Sequence, residues 1–405
     1  MVSSEGGTIC RLSEYSTSAP LRVDDEQRRQ LLRLAAGRFT VLAGPEEGSV
    51  LLRSTSFVGS VRVGDLTIEV APKVPMQNLF ALFAGAAEAV DWAQELGSWA
   101  RSEFVEGVAA FVVRSIDEAT SRGMLHGYRQ REERVPVIRG RLLVDEIARR
   151  PWDLAPAPCR FDDFTADTIE NRILLASLRE MTRWPSIDFA TRRRIRRLVE
   201  RFSGVAAIPA AHALAGWPAV TRLNEHLSVA LGLARLVLGS SAISHRPGEQ
   251  PAHAFLVDMN VVFERWVASE LARRLAPRVE VQAQYATYLA RGARVPIRPD
   301  LVFTTRQQVA LVGDTKYKLV EGSLARSADY YQMLAYAVSL GTRAGLLVYC
   351  SADDQREKVV TVRNIDKELI CYQLPLSGDV HDLHRRIADL ADYVRELCER
   401  SELSA

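Results

Sequence analysis

The sequence predicts a multi-domain α/β protein, with a β-rich and helical N-terminal region, a helical middle and a C-terminal mixed sheet flanked by helices. Three observations lead to this prediction. Short apolar runs with partial alternation fill much of the first 80 residues and recur in the last 150. Stretches with apolar residues every three or four positions lie between them. A chain of 405 residues is also long enough for two or three domains.

The N-terminal region, residues 1–160, combines strands and helices. Short runs separated by glycine-containing turns are predicted strands: they are FTVLAG from Phe39, SVLLRS from Ser49, GSVRVG from Gly59 and LTIEVAP from Leu66. Asp24–Gly37 is a predicted helix with a glycine stop. The apolar spacing from Gln77 to about Thr120 is also helical. Residues 121–160 look irregular and basic, and the proline-rich PWDLAPAPC predicts a boundary at their end.

The middle region, residues 161–250, is predicted to be helical from about Asp167 to Leu238. It contains a cluster of arginines in the segment TRRRIRRLVERF: Arg192, Arg193, Arg194, Arg196 and Arg197. Such a cluster is either a solvated helix face or a set of phosphate contacts, and the sequence leaves both interpretations open.

The C-terminal region, residues 251–405, is predicted to form a mixed sheet flanked by helices. Met259–Leu275 is a predicted helix with one apolar face. Predicted strands follow in VEVQAQY, VPIRPDLVF and QVALVGDTKYK, and a helix runs from about Leu324 to Leu340. The segments AGLLVYC, KVVTVRNI and LICYQLPL are further strands, and an amphipathic helix closes the region.

Composition and missing motifs exclude several functions. A net charge of +2 gives no bulk electrostatic case for binding nucleic acid, so any basic surface is local. The segment GPEEGS at Gly44 lacks the lysine of a P-loop, and neither GxSxG nor HExxH occurs. The five cysteines form no CxxC pair, which argues against a zinc site and a disulfide framework. No apolar run reaches about 18 residues, so we expect no membrane association and a cytoplasmic protein.

Two aspartates interrupt the apolar strands of the C-terminal region. Residues two apart on a strand share a face, so Asp314 and Lys316 project together. A hairpin joining Ile297–Phe303 to Val309–Lys316 would place Asp300 beside Asp314. Facing carboxylates repel unless a cation lies between them, and such oxygen ligands suit Mg²⁺, with Mn²⁺ as an alternative. An adjacent lysine can act on a water or neutralise charge on a phosphate. This arrangement is typical of phosphodiester cleavage.

The two neighbouring helices carry further polar residues. Glu264, in NVVFERW, is a candidate third metal ligand, and Glu270 on the same helix is the alternative because it lies more fully within the apolar stripe. Gln332 and Tyr336, in DYYQMLAYA, lie one turn apart on one helix face. D-x-K alone is a common pattern that also fits polar strand ends, whereas the ordered set is much more specific.

That order, an acidic helix, a strand with PD, a strand with D-x-K and a helix with Q-x-x-x-Y, resembles the PD-(D/E)xK nuclease superfamily in its RecB-like branch. The resemblance extends from about residue 9 to about residue 350. There RLSEYS, LTIEVAPKVP, YRQREERVPVIRGRL, FDDFTADTIENRILL and MNVVFERWV follow in the order seen in the McrC family, the nuclease subunits of McrBC modification-dependent (type IV) restriction systems. The resemblance implies an Mg²⁺-dependent DNA endonuclease.

The resemblance also implies roles for the residues of the set. Glu264, Asp300 and Asp314 would hold the metal, and Lys316 would act on the attacking water. Gln332 and Tyr336 would position the active site or the DNA strand.

A partner is implied as well, because McrC-like proteins work with McrB, an AAA+ GTPase that forms rings and carries the DNA-reading domain. The resemblance assigns residues 1–160 to engaging this ring and stimulating its GTP hydrolysis, residues 161–250 to a connecting region and residues 251–405 to a nuclease domain that cuts double-stranded DNA. Two alternatives are a non-catalytic adaptor that regulates an AAA+ ring and only clamps DNA, and a RecB-like nuclease with a helicase partner. The intact aspartates and lysine disfavour the first, and the N-terminal resemblance disfavours the second.

Overall fold

The computed structural model describes residues 2–4, 7–35, 37–84, 104–150, 152–153, 155–184, 187–241, 253–290, 292, 294–318, 327–351 and 356–403. The chain divides into two compact units. The first joins Met1–Val108 to Ser244–Ala405, and the second is Ala109–Ile243. These units differ from the three predicted regions 1–160, 161–250 and 251–405, which as functional regions stay a prediction.

The helices and strands follow one another as the alternating patterns indicate. Before residue 85 the elements are β1 (Val2–Ser4), β2 (Gly7–Ser13), β3 (Leu21–Arg22), α1 (Asp25–Ala35), β4 (Phe39–Ala43), β5 (Ser49–Ser54), β6 (Phe57–Val63), β7 (Leu66–Ala71) and α2 (Met76–Ala84). Residues 104 to 241 contain α3 (Phe104–Thr120), β8 (Gly127–Val135), β9 (Arg141–Leu142), α4 (Val144–Arg149), β10 (Ala157–Thr165), α5 (Ile169–Met181), α6 (Phe189–Arg201), α7 (Ala210–Ala215) and α8 (Ser228–Ser241), with a 3₁₀ turn at Glu225–Leu227.

The remaining elements lie after residue 252. They are β11 (His253–Asp258), α9 (Met259–Leu275), β12 (Glu280–Ala283), β13 (Thr287–Tyr288), β14 (Pro296–Ile297), β15 (Leu301–Thr305), β16 (Gln308–Lys316), α10 (Ser327–Ser339), β17 (Ala344–Ser351), β18 (Arg356–Thr361), β19 (Glu368–Pro375) and α11 (Val380–Leu403). The predicted multi-domain α/β class is confirmed. The parts of the predicted helices that fall on residues 85–103 and 324–326 lie outside the described residues.

The N-terminal part of the first unit is built on a five-stranded sheet of order β1-β2-β7-β6-β11, beside a three-stranded sheet of order β3-β5-β4. Strand β11 comes from far along the chain and pairs antiparallel with β6, with Leu256 opposite Gly59. Gly59 has a φ of +139°, and a Cβ there would lie 1.9 Å from the carbonyl oxygen of Phe255. Only glycine allows β11 to approach this closely.

The C-terminal part of the first unit is a six-stranded mixed sheet of order β12-β15-β16-β17-β19-β18. The β16–β17 and β17–β19 pairs are parallel, and the β12–β15, β15–β16 and β18–β19 pairs are antiparallel. Helix α10 covers one face, where Met333 and Ala337 pack with Val312 and Leu347. Helices α9 and α11 contact each other and β16. The predicted mixed sheet flanked by helices is therefore present.

The second unit contains a three-stranded sheet of order β8-β10-β9 and the helices α5 to α8. The expectation that residues 121–160 are irregular is wrong, because β8, β9, α4 and the start of β10 lie there. Most side chains of β8 are charged or polar and exposed, so apolar alternation is weak. Cross-strand ion pairs support the strands instead, among them Arg131 with Asp163 at 3.3 Å.

The arginine cluster lies on α6 of the second unit. Arg192 is part of the structure, since its guanidinium donates to the carbonyl oxygens of Thr182 at 2.7 Å and Trp184 at 3.1 Å. The other members are exposed: Arg193, Arg194, Arg196 and Arg197. The structure therefore places a basic, solvent-facing surface here, and phosphate binding by it stays a prediction.

Candidate active site

The two aspartates meet where β15 begins and β16 approaches its end. The strands pair antiparallel with Leu301 opposite Gly313, so the next residues along, Asp300 and Asp314, are neighbours. Thr315 of β16 holds the Asp300 carboxylate in place. The Oδ2 of Asp300 accepts hydrogen bonds from the backbone N–H of Thr315 at 2.8 Å and from the Thr315 hydroxyl at 3.0 Å. The hairpin expected from the sequence thus brings both carboxylates together.

Asp314 and Lys316 form a largely buried ion pair on the face covered by α10. The Asp314 side chain is only 2% exposed, and its Oδ2 contacts the Nζ of Lys316. Among the described residues, the same oxygen has no hydrogen-bond partner, and it lies against the ammonium group as an ion pair. Burial raises the pKa of Asp314 to about 7, the charge of Asp300 adds to the rise, and Lys316 opposes it. Burial by itself would lower the pKa of Lys316, but Asp314 raises it.

Two side chains of α10 extend the cluster. The Nζ of Lys316 donates to the Oε1 of Gln332 at 3.2 Å, and the Nε2 of Gln332 donates to the hydroxyl of Tyr336 at 2.7 Å. Burial raises the pKa of Tyr336, so its hydroxyl is neutral near pH 7. The one-turn spacing predicted from the sequence therefore forms a continuous chain of contacts from Asp314 to Tyr336.

The two glutamates of α9 have different surroundings. Glu264 faces the cluster, where the Nε2 of Gln284 donates both to the Oε1 of Glu264 and to the Oδ1 of Asp300, the latter at 3.0 Å. Burial and the charge of Asp300 raise the pKa of Glu264. Glu270 is 2% exposed and is bound by Arg273 and Arg274, each at 3.0 Å. The geometry therefore favours Glu264 over Glu270 as the third acidic residue.

Sequence reasoning missed two residues of this site, Gln284 and Thr315. Thr315 is the central residue of D-x-K and was expected only on the face opposite the aspartate, yet it binds Asp300. Gln284 follows β12 and has a left-handed backbone with a φ of 53°. The letters QAQY carry no signal for such a role, because it depends on contacts with α9 and the start of β15.

The arrangement of the acidic side chains decides which ion they can hold. Among the described residues, no group of three or more His, Cys, Asp or Glu side chains is placed to hold a metal ion together. Asp300 and Asp314 are adjacent, and Glu264 is linked to them through the amide of Gln284. Mg²⁺ usually takes one or two protein carboxylates and keeps several waters. The aspartate pair, with its incompletely bonded buried oxygen on Asp314, fits this ion.

The chain is similar to known proteins in both sequence and fold. The family model of the McrBC 5-methylcytosine restriction system component matches residues 52–350. The fold is similar to a chain in the refined half-complex from the tetradecameric assembly of Thermococcus gammatolerans McrB AAA+ hexamers with bound McrC. The TM-score is 0.58 at 18% identity, covering 96% of this chain and 100% of that one. A chain of the cryo-EM structure of the Thermococcus gammatolerans McrBC complex matches with a TM-score of 0.46 at 19% identity, over 66% of this chain and 88% of that one. No curated protein matches.

The fold and the site together define a multi-domain α/β protein with a carboxylate–lysine cluster at the edge of paired strands in a mixed sheet. The match over residues 52–350 then gives the family: the chain belongs to the McrBC 5-methylcytosine restriction system components. The resemblance to McrBC restriction systems noted in the sequence is confirmed by this match. Within the described part of the chain, no helix is both long and apolar enough to cross a membrane.

Proposed function

We propose that this chain is the Mg²⁺-dependent DNA endonuclease subunit of a McrBC-like restriction system, with a PD-(D/E)xK-type active site. The observation that carries the proposal is the contact chain of Asp300, Asp314, Lys316, Gln332 and Tyr336. A chain that only clamps DNA has no need for a buried carboxylate pair beside a lysine, because burying charges is costly unless they are paired or bind an ion.

The carboxylates would hold the metal. Asp300 and Asp314 would ligate it, with Glu264 helping, and Mn²⁺ could replace Mg²⁺. When bound, the ion supplies positive charge that stabilises the transition state at phosphorus and lowers the pKa of a water. Its charge would also offset burial and the repulsion from Asp300, which together raise the pKa of Asp314.

Lys316 would place a positive charge and three N–H donors beside the reacting phosphate. Gln332 accepts a hydrogen bond from one of these N–H groups and so fixes the direction of the ammonium group. Tyr336 in turn fixes Gln332, because its hydroxyl accepts from the amide. Both α10 residues therefore orient the lysine.

The partner would be a McrB-like AAA+ GTPase ring that delivers double-stranded DNA to this site, and this chain would stimulate its nucleotide hydrolysis. Two observations support this part of the proposal. Over 96% of its own length, this chain has a fold similar to a chain from an assembly of McrB AAA+ hexamers with bound McrC. The sequence, in addition, has no P-loop of its own.

The proposal is tested by Asp314→Ala and Lys316→Ala in the full-length chain, assembled with a McrB-like AAA+ GTPase. Each change should reduce cleavage of methylated plasmid in Mg²⁺ by about 10² or more, because it removes a metal ligand or charge stabilisation. Stimulation of nucleotide hydrolysis should be retained. Asp366→Ala is the matched control, since the Asp366 side chain is 82% exposed.

Substantial cleavage by Asp314→Ala would contradict the assignment of the metal site. A wild-type complex that stimulates nucleotide hydrolysis but does not cut DNA in Mg²⁺ or Mn²⁺ would instead support the non-catalytic adaptor.

A further inference from the structure

A buried carboxylate of the N-terminal sheet reaches the strand that carries Lys316. Glu14 follows β2 and is 1% exposed. Its backbone N–H donates to the carbonyl oxygen of Ala71 at 3.2 Å, and its Oε2 accepts from the backbone N–H of Lys73 at 2.8 Å. Glu14 is therefore fixed at the ends of β2 and β7. Its Oε2 also accepts the hydroxyl hydrogen of Tyr317 at 3.0 Å.

The next residue holds the same tyrosine from a second direction. Tyr15 has a left-handed backbone with a φ of 56°, and its hydroxyl donates to the main-chain carbonyl oxygen of Tyr317 at 3.1 Å. A left-handed conformation is uncommon for a bulky residue and persists only where surrounding contacts hold it. Glu14 thus binds the side chain of Tyr317, while Tyr15 binds its backbone.

The position of Tyr317 gives these contacts their importance. Strand β16 ends at Lys316, whose last pairing is with Tyr349 of β17, so Tyr317 lies just beyond the regular ladder. Its ring lies on the opposite side from Lys316 and packs against Phe263 with ring centroids 6.0 Å apart. A lysine side chain has four rotatable bonds, so the direction it takes depends on how firmly its backbone is held.

We propose that Glu14 and Tyr15 are positioning residues for Lys316: by holding Tyr317 at the end of β16, they direct the preceding lysine toward Asp314 and Gln332. The inference rests on the proposed nuclease function. It makes the ends of β2 and β7 part of the active-site support, although Ser13 and Ala71 lie about 300 and about 245 positions before Lys316 in the sequence.

The surroundings of Glu14 support a role beyond packing. It lines a small pocket of about 60 Å³ together with Tyr15, Lys73, Tyr317 and Cys350. Its Oε1 has no hydrogen-bond partner among the described residues, and burial raises its pKa to about 7 despite the opposing hydrogen bonds. A buried carboxylate with one unsatisfied oxygen is unfavourable for stability. Its presence at this place is explained if it serves the lysine.

The test uses Tyr317→Phe in the full-length chain, which removes the hydroxyl and keeps the ring against Phe263. The control is Tyr393→Phe, which removes a hydroxyl that hydrogen-bonds to Glu357 elsewhere in the same unit. With the AAA+ partner present, Tyr317→Phe should lower the kcat for DNA cleavage about tenfold, because small misplacements of catalytic groups are costly. The KM for DNA should stay unchanged, and Tyr393→Phe should cut like the wild type.

Rescue by a conservative change distinguishes positioning from packing. Glu14→Gln keeps an acceptor oxygen for Tyr317 and should retain more of the wild-type kcat than Glu14→Ala. Tyr15→Phe should also lower kcat without raising KM.

A second measurement does not depend on cleavage. The rate at which an acylating reagent modifies Lys316 in the isolated full-length chain, followed by mass spectrometry, should rise in Tyr317→Phe and not in Tyr393→Phe. If the wild-type complex proves not to be a nuclease, this rise would still support the positioning role. If both kcat and the modification rate of Tyr317→Phe equal those of the wild type, the inference is wrong.

Discussion

At the scale of the residue, the amide of Gln284 arranges the acidic side of the site. It donates to both Glu264 and Asp300 and so offsets part of the repulsion between the two carboxylates. Its left-handed backbone costs on the order of 1–3 kcal/mol in a non-glycine residue. The conformation is held because its N–H donates to the carbonyl oxygen of Asp300 at 2.9 Å and its carbonyl oxygen accepts from Arg298 at 3.2 Å.

Substitutions of the two glutamates of α9 should have different effects, one on DNA cleavage and the other on stability. We expect Glu264→Gln to raise the Mg²⁺ concentration needed for half-maximal cleavage about tenfold or more. The change removes a negative charge beside the two aspartates that would bind the ion. Glu270→Gln should leave that concentration unchanged and lower the free energy of unfolding by about 2 kcal/mol, since it weakens the bonds to Arg273 and Arg274. Magnesium titrations and denaturant unfolding measure the two effects. A shifted magnesium requirement in Glu270→Gln alone would reverse the assignment.

At the scale of secondary-structure elements, Asp167 joins β10, α5 and the segment after α6 in the second unit. Its Oδ1 accepts from the Nε of Arg172 at 2.6 Å and from the backbone N–H of Ala206 at 2.8 Å, and its Oδ2 is paired with Arg129. The hydrogen bond from Arg172 lowers the pKa of Asp167 to about 2, and burial opposes this effect.

This carboxylate should stabilise the second unit in a pH-dependent way. A folded-state pKa of about 2 lies below the ordinary value of 3.8, so the stabilisation is complete well above pH 4 and is lost as the pH falls toward 2. We expect Asp167→Asn to lower the free energy of unfolding near pH 7 by about 2–3 kcal/mol, because it leaves Arg172 without its charged partner. Unfolding measured at several pH values should show the difference from the wild type shrinking below about pH 4. A difference that stays constant down to pH 3 would contradict the linkage.

At the scale of the whole molecule, the N-terminal sheet is completed by a strand that the sequence assigns to the other end of the chain. β11 pairs with β6 along its length, and Leu256 is part of the same apolar core as Leu31 and Leu52. The side chain of Asp258 also accepts a hydrogen bond from Ser56 at 3.0 Å. The boundary predicted at residue 250 therefore precedes a strand of the N-terminal sheet.

Two fragments should differ for this reason. A chain ending at residue 250 lacks β11 and leaves the edge of β6 unpaired, whereas a chain ending at residue 260 keeps the strand and Leu256. We expect hydrogen exchange to show protected β6 amides in the longer fragment and fast exchange in the shorter one, because unpaired strand amides are open to solvent. Equal protection in both would mean that β11 contributes nothing to the sheet.

Local patterns in the sequence predicted most of the helices and strands and much of the site. The Met259–Leu275 helix agrees with the structure at both ends, because its apolar spacing is regular. Asp314 and Lys316 share a face because strand geometry alone requires it. Where the pattern is weak, as in the charged strand β8, the prediction was wrong because cross-strand ion pairs replace apolar burial.

The sequence by itself determined that this is a multi-domain α/β protein with two aspartates, a lysine, a glutamine and a tyrosine ordered along the strands and helices of a mixed sheet. Only the tertiary structure decided that Glu264 rather than Glu270 faces the aspartates, that Gln284 links them, and that β11 and Glu14 belong to one sheet region. The physical reason is the separation along the chain of the residues that interact. The direction of a side chain within a strand or helix follows from the local backbone periodicity. Contacts between residues tens or hundreds of positions apart depend instead on how the elements pack.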